Sequence, residues 1–410
     1  MKQNINYTAD ILIIGAGPSG TIAASMVNRS GLKAVIVEKT KFPRFVIGES
    51  LLPRCMNVFE ESGFLDAIEK QSYQKKYGAQ FLRGDETCDF NFSEQFTDGW
   101  SWTWQVPRDH FDKVLADEVE KQGVEILYET AVTNIKFNGQ QSLVTIKDKN
   151  GDLSEIVTNF VIDASGYGRV IANLLDLNLP PGLPVRNSLF TQVKDVNRPK
   201  GLAGDRITII DTQPGVWIWI IPFSNGNTSV GFVSEPSFFE KYNGTNKEKL
   251  SKMLADELHT SERFNQVEYL FEPQYIEGYS IAVKQLYGPG YVLTGNATEF
   301  LDPVFSSGVT FAVESGMLAG KLAAKQVKGE KIDWDKEYVD HIIHGVETFR
   351  TYVNAWYDNT LQTIFFADKQ ISKTKNQICS VLAGYVWDKK NPYVKKHKTV
   401  LNSLAKVIEL

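Results

Sequence analysis

The segment from Asp10 to Gly20, DILIIGAGPSG, leaves few folds open to this chain. Residues 11–14 are apolar and largely β-branched, as in a parallel strand buried on both faces. Three glycines in the spacing G-x-G-x-x-G follow at once. Gly15 permits a tight turn, Gly17 lets backbone approach a pyrophosphate, and Gly20 lets a helix pack closely on the strand. Pro18 and Ser19 open that helix, which is expected to continue from Thr21 to Asn28. Its unpaired N–H groups and dipole suit an anion. A second apolar strand, residues 34–37, ends at Glu38 and is followed by Lys39. The acid lies about 20 residues past the turn, where a ribose hydroxyl is expected. Strand, glycine turn, helix and acid in this order predict an α/β chain with a Rossmann-like dinucleotide domain.

Beyond that unit the pattern changes. Residues 41–50 are irregular, with Arg44, Gly48, Glu49 and Ser50 as candidate cofactor contacts. A helix is expected over 54–62, closed by Gly63. Residues 77–91 predict strands with a turn at 83–85, and the aromatic-rich residues 100–106 predict another. A helix over 110–121, capped by Asp109, leads back to a parallel strand at 124–127. A meander of strands then ends at Asp163-Ala164-Ser165-Gly166. Residues 189–193, 206–211, 216–221 and 228–233 predict a separate antiparallel sheet. A short strand before Gly295-Asn296 returns to the first domain, and a helix follows over 307–327. The remainder is expected to be helical, with Phe349, Tyr352, Trp356 and Tyr357 as packing residues. The expected organisation is a discontinuous dinucleotide domain (1–80, 106–175 and 285–330), an antiparallel-sheet substrate domain (81–105 and 176–284) and a C-terminal helical cap (331–410).

Composition excludes several classes. A net charge of −5 with no basic tract argues against nucleic-acid binding. The isolated cysteines Cys55, Cys88 and Cys379 form no C-x-x-C, so neither a metal site nor a disulfide framework is expected. No apolar run is long enough to span a bilayer, and the first strand begins too early to leave room for a signal peptide. A cytoplasmic location is the expectation.

Three separated pieces resemble the FAD-dependent monooxygenase superfamily of p-hydroxybenzoate hydroxylase type. They are the glycine turn at 15–20, the run Asp163-Ala164-Ser165-Gly166, and Gly295-Asn296 leading into Asp302-Pro303. The resemblance implies FAD as cofactor, with the glycine turn holding its ADP half. Arg108, in the pattern V-P-R-x-x-F-D, is similar to an arginine that contacts the cofactor in that superfamily. Asn296 stands where the superfamily carries an aspartate for the ribityl chain. Asparagine can also donate and accept hydrogen bonds.

Within the superfamily the chain resembles a flavin-dependent halogenase. Residues 217–222 match W-x-W-x-I-P, residues 300–308 match F-x-x-P-x-x-S-x-G, and residues 76–81 match K-x-G-x-x-F. The run Gly48-Glu49-Ser50-Leu51-Leu52-Pro53 is more similar to the branch acting on phenols and pyrroles, often tethered to carrier proteins. This resemblance implies chloride or bromide as co-substrate and a small aromatic as substrate. No second glycine-rich unit for a nicotinamide cofactor is visible, so a separate flavin reductase is expected.

The residues have distinct expected roles. Trp217 and Trp219 would supply bulk between flavin and organic substrate, although such a pair alone reads as core. After Pro303, the backbone N–H groups near Ser306, Ser307 and Gly308, at a helix start that continues through Val309, would suit halide or charge on the flavin. Lys76 would hydrogen-bond hypohalous acid as an ammonium, or form a haloamine as a neutral amine that desolvation makes accessible. Lys75 should point the other way and be solvated. His110 reads as a helix-surface residue, and no glutamate is assigned beside the lysine. A basic patch at Lys389, Lys390, Lys395 and Lys396 would suit an acidic carrier or simply be solvated surface. The competing readings are an aromatic monooxygenase, a geranylgeranyl-reductase-like flavoprotein and a non-catalytic flavin-binding protein.

Overall fold

The computed structural model describes residues 5–139, 141–368 and 371–409. The central sheet runs Tyr287–Gly288, Tyr291–Leu293, Leu153–Asp163, Ile5–Ile14, Ala34–Val37, Glu125–Leu127. Its strands are parallel from Tyr291–Leu293 onward, as the glycine-turn unit demands. The buried apolar runs of Ile5–Ile14 and Ala34–Val37 lie at its centre, where both faces are covered. Thr130–Asn138 and Gln141–Asp148 form an antiparallel arm on Leu153–Asp163.

The other sheet runs Gln274–Ile276, Asn187–Lys194, Asn227–Ser234, Val216–Pro222, Ile207–Gln213, Gly78–Arg83, Glu86–Asn91. It is antiparallel except where Ile207–Gln213 lies parallel to Gly78–Arg83. Gly78–Arg83 straddles the domain boundary expected at residue 80. Val216–Pro222 is buried along its whole length. Ile218 and Ile220 face a core shared with Leu250, Met253 and Leu254 of the helix Asn246–Asp256. Trp217 and Trp219, on the opposite face, join the largest core, which the C-terminal helices close.

Two local expectations change. Of residues 100–106 only Thr103–Gln105 is a strand, and it pairs with Gln74–Lys76 in a separate two-stranded ribbon. The helix expected from 110 begins at Arg108, with Pro107 as its N-cap. Asp109 sits inside the first turn and accepts the His110 N–H (2.8 Å), where an acid suits the helix dipole. The helix Ser307–Val327 has the bounds the sequence predicts. Among the described residues no helix is long and apolar enough to cross a membrane, and no cluster of three or more His, Cys, Asp or Glu could hold a metal.

Candidate active site

The nucleotide end is built from backbone. Gly15 has φ +97°, and a Cβ there would lie 2.7 Å from the Ala164 carbonyl oxygen. A Cβ on Gly20 would lie 1.9 Å from the Gly15 carbonyl oxygen. Gly17 caps the helix Pro18–Arg29 without a side-chain hydrogen bond, leaving the first-turn N–H groups for an anion. Glu38 is buried, accepting the Ala16 N–H (2.9 Å) with one oxygen and the Thr40 N–H (2.9 Å) and hydroxyl (2.6 Å) with the other. Arg44 lies 3.8 Å from Glu38 and 3.6 Å from Asp112, and Lys39 is exposed at the rim.

The three runs that carried the resemblance are tied to one another. The Ser19 hydroxyl donates to Thr294 Oγ1 (2.8 Å), which donates to the Asp163 carbonyl (3.2 Å). The Asp163 carboxylate accepts the N–H groups of Ser165 (3.0 Å) and Ile171 (2.7 Å), and Ser165 Oγ accepts that of Val170. Asp163 therefore shapes the turn through Gly166, which has φ +59°. Gly295 donates its N–H to Ser315 Oγ (2.9 Å). The half-buried Asn296 side chain has no partner among the described residues. Uncapped helix N–H groups, a glycine cradle and an unpaired amide fit the ADP and ribityl parts of FAD. Arg108 is drawn inward: it grips Asp112 through two nitrogens (2.7 and 3.1 Å) and the carbonyls of Ile47 and Gly48 through a third (3.1 Å each). It thus holds the strap 47–50 in place.

Opposite that strap, Asp302 accepts the Val304 N–H (3.0 Å) and so fixes the turn Pro303–Phe305. Ser306 follows at φ +57°, a left-handed conformation costly for a side chain that is not glycine. The Ser306 N–H is spent on the Pro303 carbonyl (2.9 Å), so it drops out of the expected anion site, while Ser307–Val327 has no side-chain cap and the N–H groups of Ser307, Gly308 and Val309 form an open helix start. Val309 lies against Gly48 of the strap.

Both indoles are buried on one face of their strand, ring centroids 6.1 Å apart. Trp217 Nε1 donates to the Tyr357 hydroxyl (3.0 Å), and Tyr357 and Tyr279 both donate to Asp302 (2.8 and 2.9 Å). Trp219 Nε1 donates to Ser229 Oγ (3.0 Å), and Ser229 hydrogen-bonds Glu49. Gln192 donates to the same carboxylate (2.5 Å). One indole is thus wired to the Asp302 turn and the other to the strap. Trp219 lies over Gly231, its partner across the sheet, where a Cβ would come within 2.4 Å of the ring. Asp302, Tyr357, Arg186, Ser280, Leu183 and Pro184 border a cavity of about 340 Å³. Burial raises the Asp302 pKa, and its two phenol donors pull it back.

Lys76 is 2 % exposed. Its Nζ donates to Ser50 Oγ (2.8 Å) and the Leu51 carbonyl (2.9 Å), and among the described residues no carboxylate pairs with it. Burial lowers its pKa from 10.5 to about 7, with Cys55 opposing and Arg206 reinforcing the shift. Cys55, which acts electrostatically on Lys76, has its Sγ 3.2 Å from Thr310 Oγ1 in the first turn of Ser307–Val327. Burial also raises Glu49, to about 7, with Ser229, Gln192 and Arg108 opposing. Lys75 is exposed, over the Trp102 ring, as expected. His110 is exposed on its helix, Nδ1 2.7 Å from the Tyr73 hydroxyl, and the four basic-patch lysines are exposed.

Sequence reasoning missed Tyr279, Arg186 and Ser229, and took Tyr357 only for packing. No local pattern signals them. Ser229 becomes visible only through its register beside the Trp219–Gly231 pair.

A glycine-turn dinucleotide half joined to an indole-walled sheet defines a flavoprotein of the monooxygenase class. Residues 8–331 match the family described as FAD binding domain. The chain belongs to that family and, within it, resembles the flavin-dependent halogenases. The crystal structure of a flavoprotein/dehydrogenase from Cytophaga hutchinsonii is 60% identical, with a TM-score of 0.97 over 98% of this chain and 99% of that one. A tryptophan 2-halogenase from Chondromyces crocatus is 29% identical over 78% of this chain and 62% of its own length. A 1H-pyrrole-2-carbonyl-[peptidyl-carrier protein] chlorinase from Pseudomonas fluorescens is 26% identical over 98% of this chain and 94% of its own.

Proposed function

We propose that this chain is an FAD-dependent halogenase that uses reduced FAD, dioxygen and chloride or bromide. Its substrate would be an electron-rich phenol or pyrrole, presented on a carrier protein as for the pyrrole chlorinase it resembles. One observation carries the reading: Lys76 is a buried amine held by Ser50 Oγ and the Leu51 carbonyl, and among the described residues no carboxylate pairs with it. Bound reduced FAD supplies, with dioxygen, the two-electron oxidation of halide to hypohalous acid. The open N–H groups of Ser307, Gly308 and Val309 hold the halide. Arg108 acts through the strap, and Glu38 and the glycine turn hold the nucleotide.

Trp217 and Trp219 keep the organic substrate away from the flavin. Each indole N–H is hydrogen-bonded, so neither ring is free to swing. Lys76 receives the oxidant. Its neutral amine attacks the halogen of hypohalous acid: an N–halogen bond forms, the O–halogen bond breaks, and water leaves with the amine proton. The arene then takes the halogen, and its displaced ring proton returns to the nitrogen. A midpoint of about 7 keeps both amine and ammonium populated at neutral pH.

The test is to supply the protein with a separate flavin reductase, NADH and bromide, then a panel of phenols and pyrroles, free and carrier-tethered. The expected result is a brominated mass shift that disappears in Lys76→Met. Halide-independent hydroxylation would establish a monooxygenase instead. Rapid NADH oxidation by the protein alone would point to a single-component monooxygenase that needs no separate reductase. We place the enzyme in the cytoplasm, alongside its reductase.

A further inference from the structure

Around Lys76 lies more hydrogen-bonding capacity than the fold itself uses. In the two-stranded ribbon Lys76 stands directly opposite Thr103, and Gln74 opposite Gln105. Residues directly opposite one another point to the same side, and residues two apart on a strand share it. Ser50 bridges Gln105 from the other flank. Lys76, Thr103, Gln105 and Ser50 therefore project from one face, and the lysine crosses that face to reach Ser50 Oγ at 2.8 Å.

Thr103 and Gln105 are completely buried, yet Thr103 Oγ1 and Gln105 Oε1 have no hydrogen-bond partner among the described residues. The Gln105 amide nitrogen donates to the Asp205 carbonyl (3.0 Å), which fixes the orientation of the unpaired oxygen. Lys76 Nζ uses two of its three donors. Buried polar atoms are rarely left unpaired, and those that are mark bound water or chemistry. Here an unused donor, an unused acceptor and an unused hydroxyl share one face.

We infer that Thr103 and Gln105 bind a small guest that both donates and accepts hydrogen bonds, hypohalous acid during turnover and water otherwise, and hold it against Lys76. The guest O–H donates to Gln105 Oε1. The guest oxygen accepts from the Thr103 hydroxyl, and the halogen is left facing the amine. This rests on the halogenase reading and adds to it: the pair decides whether the oxidant is kept or lost. Cys55 and Arg206 also act electrostatically on Lys76, so neither is altered in the test.

The variants are Thr103→Val and Gln105→Met, with Thr103→Ser as the conservative restoration. In the complete system with reductase and bromide, hypobromous acid escaping to a scavenger is measured against brominated arene. Escape is expected to rise about tenfold in Thr103→Val and Gln105→Met, and to return towards wild type in Thr103→Ser. Separately, the Lys76 Nζ resonance is titrated by NMR in flavin-free protein and assigned by its loss in Lys76→Met. Loss of the bridging water removes an acceptor from the ammonium, so the midpoint is expected to fall in both disruptive variants. Folded variants with unchanged escape and an unchanged midpoint would overturn the inference. If Thr103→Val fails to fold, Gln105→Met decides. A wild type that brominates nothing sinks the halogenase reading, and the titration then still decides whether the polar guest site exists.

Discussion

At the nucleotide end a single short stretch, residues 10–20, makes the turn, the helix start and the packing surface. Its long-range ties, Ala16 to Glu38 and Ser19 to Thr294, hold neighbouring runs against it. The lysine end has no such stretch. Lys76 and Thr103 come from two strands of a ribbon, Ser50 from the strap and Leu51 from just after it, Cys55 and Thr310 from two helices. The first end offers backbone N–H groups, which most substitutions leave in place. The second offers side-chain atoms, each individually removable. The contrast teaches that cofactor binding and chemistry should fail separately.

The largest test of that separation is Lys76→Met. Halogenation is expected to fall roughly a thousandfold, while flavin absorbance after gel filtration stays at wild-type level. Loss of flavin would break the contrast. Next is Gly20→Val, whose Cβ has no room beside the Gly15 carbonyl. FAD affinity should weaken by about a hundredfold, read by fluorescence titration. Retained affinity would show that the turn does not govern binding.

The pH dependence sharpens the lysine half. The neutral fraction of Lys76 rises through pH about 7, so bromination should climb to a plateau above it. Stability adds a sign. The unfolded lysine keeps its proton up to 10.5 and the folded one only to about 7, so this group's contribution grows as pH rises between those values. Glu49 works oppositely: the folded carboxyl keeps a proton that the unfolded one loses, so stability falls from pH 4.5 to about 7. Melting curves of Lys76→Met should lose the gain above neutrality. The smallest effect is expected for Tyr357→Phe, which removes the acceptor of Trp217 and one donor to Asp302. It should cost about 2 kcal/mol in urea unfolding and only a few-fold in halogenation.

The legibility of the sequence follows the same divide. The turn, the helix Ser307–Val327 and the hairpin Gly78–Asn91 were readable because local spacing alone specifies them. The strap was named as a cofactor element, and its Arg108 and Glu49 contacts prove to run inward to Asp112 and Gln192. Residues 100–106 read as one longer strand because Trp100, Trp102 and Trp104 mimic alternation, while only Thr103–Gln105 pairs, with a three-residue neighbour. Tyr279 and Tyr357 were out of reach. They meet at Asp302 from distant segments, and nothing in their own neighbourhoods distinguishes them from core aromatics.

The bare backbone beneath Trp219 has a consequence for redesign. A side chain at 231 would meet the Trp219 ring on one neighbouring strand and the Phe190 Cβ on the other, each within 2.4 Å. Trimming the indole would therefore not make room for a larger residue at 231, because Phe190 would still close that space. Under the proposed function, a smaller residue at 219 would open the partition between flavin and substrate with no compensating change available at 231.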